Sequence, residues 1–271
     1  MKSMEEKTAV ITGAASGIGR ALAVQLAAEG CALAIADVND KGLKETADLV
    51  KGAGVDVMTA KLDVSVEKDV NKFAAAVMKR FGSVDIVINN AGVNHNGNMM
   101  DASIEDFEWI FSINFWGVVY GTRAFLPHLV KRSEASLVNI SSLFGLLSVR
   151  KQSAYCATKF AVRGFTEALR QELRATGVAV TCVHPGGIKT NIAHTARIST
   201  AGGRGSKQDQ EKLIKLFDRV AATSPEEAAR VIIDGIKKKS TRVLIGKDAK
   251  LGSLVLRLFP AIYDRVLEKI L

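Results

Sequence analysis

The stretch Thr8-Ala-Val-Ile-Thr-Gly-Ala-Ala-Ser-Gly-Ile-Gly19 decides the fold of this 271-residue chain. It opens with an apolar, β-branched run, Thr8–Ile11, and leads into an Ala/Leu-rich segment of helical spacing, Ile18–Glu29, that stops at Gly30. The glycines between the two segments permit a tight turn and a close approach of the backbone to a ligand. The beginning of the chain therefore predicts a strand, a glycine-rich turn and a helix.

The same alternation of short β-branched runs and longer helical segments continues to about residue 245. Further strands are predicted at Ala32–Ala36, Val55–Lys61, Asp85–Ile88, Ser136–Ile140, Val178–Val183 and Arg242–Ile245. Further helices are predicted at Lys41–Lys51, Val66–Phe81, Ile104–Val130, Ser153–Thr176 and Ser224–Lys238, the last from a capping box followed by a proline. The pattern predicts an α/β fold, a Rossmann-like, doubly wound, seven-stranded parallel sheet with helices on both faces, plus a short C-terminal helical extension.

No linker interrupts this alternation, so we expect a single dinucleotide-binding and catalytic domain over residues 1–250. A glycine cluster at 202–205 marks an excursion at about 191–222, and such excursions in compact domains are usually functional lids. Residues 251–271 form an amphipathic extension that Pro260 is expected to divide into two short helices. Its apolar stripe, which must pack on its own domain, on a neighbouring subunit or into a lipid interface, consists of Leu254, Leu258, Ile262, Val266 and Ile270.

Composition excludes several classes of protein. The net charge is +9, of which residues 1–196 contribute +2 and residues 197–271 contribute +7, and no nucleic-acid-binding signature accompanies the basic residues. The sequence has no uninterrupted apolar run of about 18 residues, so we expect no transmembrane helix. The three scattered cysteines and the spacing of the four histidines predict no metal site. Because the first strand begins within about seven residues, leaving no room for a signal peptide, we expect a cytoplasmic protein.

The glycine-rich turn predicts a dinucleotide site. Free N–H groups at the start of the following helix suit a diphosphate, although glycine motifs alone are weak signals. Asp37 ends the second strand 18 residues beyond Gly19, where a carboxylate can accept both hydroxyls of an adenosine ribose and repel a 2′-phosphate. No Arg or Lys follows at 38–40, so NAD is favoured over NADP. The alternative is that Asp37 only caps a helix or stabilises a turn.

Tyr155 and Lys159 stand four residues apart on a predicted helix and therefore project from one face. A neighbouring ammonium stabilises a phenolate, which makes Tyr155 a candidate proton shuttle. By itself such a pair is usually incidental. Here it follows Ser142 by 13 residues, and Ser142 ends the fifth predicted strand, at the edge where open parallel sheets place ligands.

At residues 5–246 the chain resembles the short-chain dehydrogenase/reductase family. Each motif is common by itself, but seven of them in family order at family spacing are very specific. Thr158 is the one small departure, because Ser often precedes the lysine in the family. The motifs are Thr12–Gly19, Asp63-Val64, Asn89-Asn-Ala-Gly92, Asn114, Ser141-Ser142, Tyr155-Cys-Ala-Thr-Lys159, and Pro185-Gly186 with Thr190.

The resemblance implies a set of cofactor-binding residues. Gly13, Gly17 and Gly19, with Ser16 and Ile18, would cradle the diphosphate, and Asp37 would hold the adenosine ribose. Asp63 and Val64 would flank the adenine, while Asn90, with Ala91 and Gly92, would steady the sheet beside the cofactor. Ile188 and Thr190, after Pro185 and Gly186, would contact the nicotinamide carboxamide.

The resemblance also implies the catalytic residues Asn114, Ser142, Tyr155 and Lys159. Tyr155 would be the general acid/base, Ser142 would hydrogen-bond the substrate oxygen, and Lys159 would hold the nicotinamide ribose and lower the pKa of Tyr155. The backbone carbonyl of Asn114 would anchor a water that leads a proton to solvent. The implied activity is hydride transfer between NAD and a secondary alcohol or ketone. The alternatives are an NADPH-dependent carbonyl reductase and a catalytically idle cofactor-binding regulatory protein.

The predicted substrate site draws on Phe144, Gln152, Ser142 and Tyr155 together with mostly apolar neighbours, which favours a hydrophobic alcohol or ketone over a sugar. Asn94 and His95 follow the fourth strand and either line this cavity or lie in a surface loop. The family resemblance implies a homo-oligomer, a dimer or a tetramer. The expected partners are thus a small-molecule substrate and other copies of the chain, with no specific nucleic acid, and weak membrane-surface association through 251–271 remains open.

Overall fold

The computed structural model of the chain describes residue 1 and residues 3–270, with the side chains of 267–270 excepted. Each apolar run of the sequence forms a strand, and a helix follows most of them. The strands are β1 Thr8–Thr12, β2 Ala32–Asp37, β3 Val57–Lys61, β4 Ile86–Asn89, β5 His95–Asn96, β6 Ala135–Ile140, β7 Val178–Pro185, β8 Arg197–Thr200, β9 Gly203–Arg204 and β10 Arg242–Ile245. The helices are α1 Gly17–Ala28, α2 Asp40–Val50, α3 Glu67–Phe81, α4 Ile104–Phe111, α5 Gly117–Leu129, α6 Ser153–Glu172, α7 Lys207–Val220, α8 Pro225–Lys237, α9 Lys247–Leu258 and α10 Tyr263–Ile270.

Seven strands form one parallel sheet in the order β10-β7-β6-β4-β1-β2-β3. This confirms the predicted doubly wound, seven-stranded parallel sheet. From β1 the chain runs outward through β2 to β3, then returns to β4 on the other side of β1 and runs outward again. The order therefore reverses between β1 and β4, and the crevice at their carboxyl ends is the place where such sheets bind ligands.

The helices form a layer on each face of the sheet, as predicted. Helices α1, α2 and α8 bury Leu22, Leu43 and Ile232 against one face. Helices α3, α5 and α6 bury Phe73, Phe125 and Leu169 against the other. Each such side chain contributes about 1.5–3 kcal/mol when it leaves water, so the two cores fix the strand ends firmly.

Several elements differ from the sequence prediction. The helix predicted at Ile104–Val130 is interrupted by a π-helical segment, Ser112–Trp116, that separates α4 from α5. The excursion at about 191–222 contains helix α7, and its strands β8 and β9 form a second sheet with β5, in the order β5-β8-β9. Neither α7 nor this small sheet was predicted, because pairings of two residues depend on tertiary contacts rather than on a local pattern.

The C-terminal extension consists of two helices, α9 and α10, separated by a turn at Pro260, as predicted. Helix α9 packs on its own domain, where Gly252 lies against Leu147 and Leu143. Ile270, the last member of the predicted stripe, has its side chain outside the described part of the chain. Within residues 1 and 3–270, none of the helices is both long and apolar enough to span a membrane.

Candidate active site

The turn after β1 is rich in glycine, so its backbone is not covered by side chains. Gly13 and Gly17 adopt the left-handed conformation, with φ of +68° and +53°. A Cβ on Gly19 would lie 2.1 Å from the carbonyl oxygen of Gly13, so only glycine fits there. Ser16 is the N-cap of α1 but makes no side-chain capping bond, which leaves the first N–H groups of α1 available, those of Ile18 included. These backbone groups could hold the diphosphate of a dinucleotide such as NAD.

The Asp37 carboxylate is fixed beside this glycine turn at the end of β2. One of its oxygens accepts the backbone N–H of Ala15 at 2.9 Å, and the other accepts the N–H of Asn39 at 2.9 Å. The neighbouring Val38 side chain is exposed. Both bonds hold a negative charge at the mouth of the glycine turn, the position that the sequence predicts for a ribose-binding carboxylate.

The predicted adenine-flanking pair, Asp63 and Val64, follows β3 next to Asp37, whose backbone carbonyl accepts the N–H of Leu62. The exposed Asp63 carboxylate accepts hydrogen bonds from the N–H and the hydroxyl of Ser65. Val64 is buried, because its side chain packs against Gly117 of α5. The pair therefore presents one polar and one apolar side chain at the same edge of the sheet.

Asn90 ties the end of β4 to the glycine turn. Its Nδ2 donates to the carbonyl oxygens of Thr12 and Gly13 at 2.9 and 3.2 Å. In return, the Thr12 hydroxyl oxygen accepts the N–H groups of Asn90 and Ala91, each at 3.1 Å. These bonds lock together the two loops that face each other across the switch point of the sheet.

Ser142, Tyr155 and Lys159 meet where β6 ends and α6 begins. Lys159 Nζ lies 5.6 Å from the centre of the Tyr155 ring and donates to the carbonyl oxygen of Ile140 at 3.1 Å. Ser142 has an extended backbone, and its Oγ accepts the N–H of Phe144 at 3.1 Å. The sheet end and one face of α6 thus bring together a hydroxyl, a phenol and an ammonium.

Burial dominates the acid–base properties of this group. It raises the pKa of Tyr155 to about 12, and a hydrogen bond with Ser142 acts in the opposite direction. Burial also lowers the pKa of Lys159 to about 8. The family resemblance implies that Lys159 lowers the pKa of Tyr155. Among the described residues alone, burial raises that pKa instead. A lysine pKa near 8 allows the ammonium to exchange a proton close to neutral pH.

Asn114 lies in the π-helical segment between α4 and α5 and is fully buried. Its Oδ1 accepts the N–H of Val93 at 2.8 Å, and its Nδ2 donates to the Val93 carbonyl oxygen at 2.9 Å. A Cβ built on Gly92 would lie 3.3 Å from Asn114 Oδ1 and 3.4 Å from Lys159 Nζ. The two predicted residues therefore converge on the same point beside Gly92, and π-helical segments of this kind are frequent at functional sites.

The loop after β7 carries Pro185, Gly186, Ile188 and Thr190, as predicted. Thr190 reaches the glycine turn, since a Cβ on Gly17 would lie 2.9 Å from its methyl carbon. Ile188 is buried and pairs with Thr223 in a short parallel bridge. Asp248 of α9, which sequence reasoning missed, accepts the N–H of Gly187 at 2.6 Å and fills the space that a side chain at position 186 would need.

The predicted substrate residues lie in an apolar cluster around Tyr155. The ring of Phe144 meets that of Tyr155 edge-on, with centres 6.2 Å apart. Gln152 lies one turn before Tyr155 and is buried, yet its Oε1 has no hydrogen-bond partner among the described residues. The apolar side chains that complete the cluster are Val93, Phe107, Trp109, Ile110, Phe111, Ala154 and Ile192. The site is thus mainly apolar. Two buried carboxamide oxygens lack a hydrogen-bond partner among the described residues: Gln152 Oε1 and, next to Val93, Asn94 Oδ1.

We refer to the excursion at 191–222 as the lid. It is held by the pairing of β8 with β5 and by the carboxylate of Asp106 of α4. This carboxylate accepts a hydrogen bond from Ser199 at 2.8 Å and contacts Arg197 and Arg204 at 3.5 and 3.7 Å. His95 is buried in the same cluster, 3.0 Å from the Ser199 hydroxyl, so it belongs to the lid anchor and its ring is not left free for a substrate. Arg197 also stacks on Trp109 at 3.8 Å.

This cluster leads to a prediction on lid stability. An Asp106→Asn variant keeps a partner for Ser199 but removes the charge that attracts the two arginines. Partly exposed ion pairs of this kind stabilise by about 0.7 kcal/mol each, so the loss of both should accelerate tryptic cleavage after Arg204 roughly tenfold. The neighbouring exposed Glu105 supplies the control, Glu105→Gln. Equal cleavage rates in the two variants and the wild type, followed by mass spectrometry, would show that Asp106 does not hold the lid.

His184, which the sequence analysis does not assign to the site, contacts the backbone of Ser142. Its Nδ1 lies 2.9 Å from the Ser142 backbone oxygen. A carbonyl oxygen only accepts, so Nδ1 carries the proton. Its Nε2 is buried without a hydrogen-bond partner in the described part of the chain. Burial lowers the pKa of His184 to about 4.

The low pKa of His184 predicts an acid-sensitive fold. Below pH 6.5 the His184 imidazole is protonated in the unfolded state but stays neutral in the folded state. The free energy of unfolding therefore falls as the pH drops from about 6.5 towards 4. Between pH 7 and pH 5 the wild type should lose about 2 kcal/mol more than a His184→Asn variant. Urea unfolding at both pH values measures this. His194→Asn, at an exposed histidine, should behave as the wild type, and a His184→Asn variant that does so too would contradict the prediction.

Comparison with known proteins agrees with this geometry. The sequence model of the short chain dehydrogenase family matches residues 7–200. The chain is 47% identical over 269 residues to the oxidoreductase SadH of Mycobacterium tuberculosis, an alignment that covers 98% of this chain and 95% of that protein. The chain therefore belongs to the short-chain dehydrogenase/reductase family and is an oxidoreductase of that family.

Solved structures with either dinucleotide resemble the chain. A short-chain dehydrogenase/reductase from Burkholderia phymatum in complex with NAD superposes with a TM-score of 0.85 and 31% identity, covering 95% of each chain. An alcohol dehydrogenase from the archaeon Thermococcus sibiricus, complexed with 5-hydroxy-NADP, gives a TM-score of 0.74 and 28% identity over 89% of this chain and 94% of that one. The family thus accommodates both cofactors on this fold.

Proposed function

We propose that the protein is an NAD(H)-dependent oxidoreductase that acts on a secondary alcohol or ketone, with an apolar substrate and with Tyr155 as the general acid/base. One observation carries this proposal: the phenol of Tyr155, the ammonium of Lys159 and the hydroxyl of Ser142 meet at the carboxyl end of β6. A backbone cradle for a dinucleotide lies at the same edge of the sheet.

The chain's own residues supply binding and proton transfer. NAD, when bound, supplies the hydride-transfer chemistry at its nicotinamide ring. Ser142 donates a hydrogen bond to the substrate oxygen, which stabilises a developing oxyanion by a few kcal/mol. In oxidation Tyr155 takes the hydroxyl proton, and in reduction it returns the proton. Lys159, whose pKa burial lowers to about 8, would exchange a proton beside Tyr155 close to neutral pH. The backbone carbonyl of Asn114 would anchor a water that leads this proton to solvent.

We also propose which residues bind NAD, and the same geometry supports this assignment. Gly13, Gly17 and Gly19 would hold the diphosphate, and Asp37 would hold the adenosine ribose. On the nicotinamide side we assign Ile188 and Thr190. Thr190 already reaches Gly17, so the two halves of the site lie close together. The remaining assigned residues are Ser16, Ile18, Asp63, Val64, Asn90, Ala91, Gly92, Pro185 and Gly186.

The substrate is proposed to be apolar with one additional polar group. Phe144 and Ile192, with the aromatic residues of α4, offer apolar contacts around Tyr155. The buried Gln152 Oε1, without a hydrogen-bond partner among the described residues, is suited to accept a hydrogen bond from a hydroxyl on the substrate, because a buried acceptor gains most when it becomes paired. A fatty, aromatic or steroid-like hydroxy compound meets both conditions.

Two further features concern the protein as a whole. Aromatic side chains lie partly exposed on the π-helical segment and on α6, with Trp116 and Phe160 the most exposed, which supports a homo-oligomer with this surface in the interface. All three cysteines are buried and unpaired, which supports a reducing, cytoplasmic location. Sedimentation of the purified protein measures the oligomeric state.

An absorbance assay at 340 nm tests the proposed function. The wild type is incubated with NAD and a panel of secondary alcohols of graded size and polarity, and with NADH and the matching ketones. We expect turnover with apolar members, and higher kcat/KM for those that also carry a second polar group. Nicotinamide cofactor that binds tightly without turnover on any panel member would instead favour the regulatory alternative.

A further inference from the structure

Helix α9 has two different apolar faces. Its inner face, formed by Ala249, Gly252 and Val255, is buried against the domain. Its outer face points to solvent and carries three leucines, Leu251, Leu254 and Leu258, that are 44%, 51% and 61% exposed. At 100° per residue the centres of the two faces lie about 130° apart around the helix. The inner face packs on the domain, and the leucines of the outer face remain about half exposed.

The leucines share the outer face with positive charge. Lys247, Lys250 and Arg257 are exposed, and with the leucines they occupy an arc of about 120°. Phe259 and Ile262, each 45% exposed, extend the apolar surface over the turn to α10. We refer to these eight residues, Lys247, Lys250, Leu251, Leu254, Arg257, Leu258, Phe259 and Ile262, as the α9 outer face. Leucine and phenylalanine beside Lys and Arg form the pattern of a helix that lies in a membrane interface.

The positive charge of the α9 outer face favours an anionic lipid surface over a second copy of the chain as its binding partner. Within α9 the one carboxylate, Asp248, is bound to the backbone of Gly187 and is not available to neutralise these cations. On α10 the exposed Asp264 is balanced by the adjacent Arg265. A symmetric contact between two α9 outer faces would place like charges opposite each other, which opposes association. An anionic lipid surface complements both the charge and the apolar area.

The α9 outer face is also close to the proposed active site. Gly252, on the inner side of the same helix, contacts Leu143 and Leu147, which follow Ser142 directly in the chain. The Tyr263 hydroxyl of α10 accepts the backbone N–H of Ser148 at 3.1 Å. A membrane surface bound by the α9 outer face would therefore lie beside the loop that walls the apolar cluster around Tyr155.

We infer that the α9 outer face docks the protein on anionic membrane surfaces, peripherally and reversibly. The leucines and Phe259 enter the boundary between headgroups and acyl chains, while Lys247, Lys250 and Arg257 contact the phosphate groups. This inference does not depend on the proposed reaction, since binding is measured without turnover.

Vesicle co-sedimentation tests the inference on the full chain. Vesicles of phosphatidylcholine alone are compared with vesicles that contain 30% phosphatidylglycerol, at 0.1 and 0.5 M NaCl. We expect binding to the anionic vesicles to exceed binding to the neutral ones at least tenfold and to fall at high salt. Each removed cation should weaken partitioning roughly fivefold, so Lys250→Gln with Arg257→Gln should weaken it about 25-fold. Leu254→Ser with Leu258→Ser should abolish it.

Matched controls remove the same groups elsewhere. Leu49→Ser on α2 and Lys68→Gln on α3 change an exposed leucine and an exposed lysine, and both should bind as the wild type. Circular dichroism and sedimentation of every variant establish fold and mass. Equal binding to neutral and anionic vesicles, absence of binding, or outer-face variants that bind normally would overturn the inference. A change of mass in the outer-face variants without any lipid binding would overturn it too, and would make this face an interface between copies.

Discussion

A Tyr155→Phe variant is expected to turn over at least 100-fold more slowly than the wild type. The substitution removes the ionisable hydroxyl and keeps the ring, which packs edge-on against Phe144. General acid–base catalysis supplies about 10²–10⁴ in rate. The His184 imidazole near Ser142 is bound to the Ser142 backbone oxygen and has a pKa lowered by burial to about 4, so it is poorly suited to replace Tyr155. Steady-state kcat with the best substrate of the panel measures the loss, and fluorescence titration should show unchanged NADH affinity.

Tyr120→Phe is the matched control for that experiment. Tyr120 stacks on Trp116 in α5, where its hydroxyl has no part in the proposed reaction. This control variant should retain wild-type turnover. If Tyr155→Phe keeps more than a tenth of wild-type activity, another group transfers the proton and the assignment of Tyr155 is wrong.

The sheet and the cofactor side of the site could be predicted because their signals are local. A strand, a glycine turn and a helix lie within about 20 consecutive residues, and the left-handed φ of Gly13 and Gly17 shows why glycine occupies those positions. Asp37 could be placed because it directly ends a strand that pairs with β1. In a parallel sheet, residues that end neighbouring strands meet at one edge, whatever the intervening sequence.

The sequence predicts an excursion at about 191–222, but its anchoring contacts could not be predicted because they are distant in sequence. Asp106 and Ser199 are separated by 93 positions, and neither belongs to a motif. Helix α7 did have a local signal, since Ser206 and Asp209 form a complete capping box at its start. This signal directly follows the glycines at 202–205, which are typical of an irregular excursion.

The acid–base balance at Tyr155 depends on burial, which sequence spacing does not report. A four-residue spacing places Tyr155 and Lys159 on one face of α6, and this was predicted correctly. The surrounding aromatic cluster and the sheet then exclude water, so desolvation raises the pKa of the phenol and lowers the pKa of the ammonium together. The same neighbours that position the pair also set its titration, and they come from β6, α4 and the lid.

Asp37 is expected to give the wild type about a 100-fold preference for NAD over NADP, or roughly 3 kcal/mol. The two backbone hydrogen bonds to its carboxylate keep the negative charge in place, where it repels a 2′-phosphate. An Asp37→Ala variant with Val38→Arg should reduce this preference to near unity or reverse it. The repulsion is removed, and an arginine at the exposed position 38 can bind a phosphate without disturbing the core. Dissociation constants for NADH and NADPH measure this directly, and the ratio of kcat/KM values provides a second readout.

The control for this prediction repeats the same charge change on a remote surface. Asp48→Ala with Leu49→Arg alters two exposed residues of α2 away from the glycine turn, so it adds the same positive charge without a ribose nearby. This control should keep the wild-type preference, which separates a local phosphate contact from a general effect of net charge. Similar solved structures contain NAD or an NADP derivative, so binding of either cofactor is compatible with this fold. A wild type that binds NADH and NADPH equally would mean that Asp37 only stabilises the turn through Ala15 and Asn39, and that cofactor choice lies with other residues.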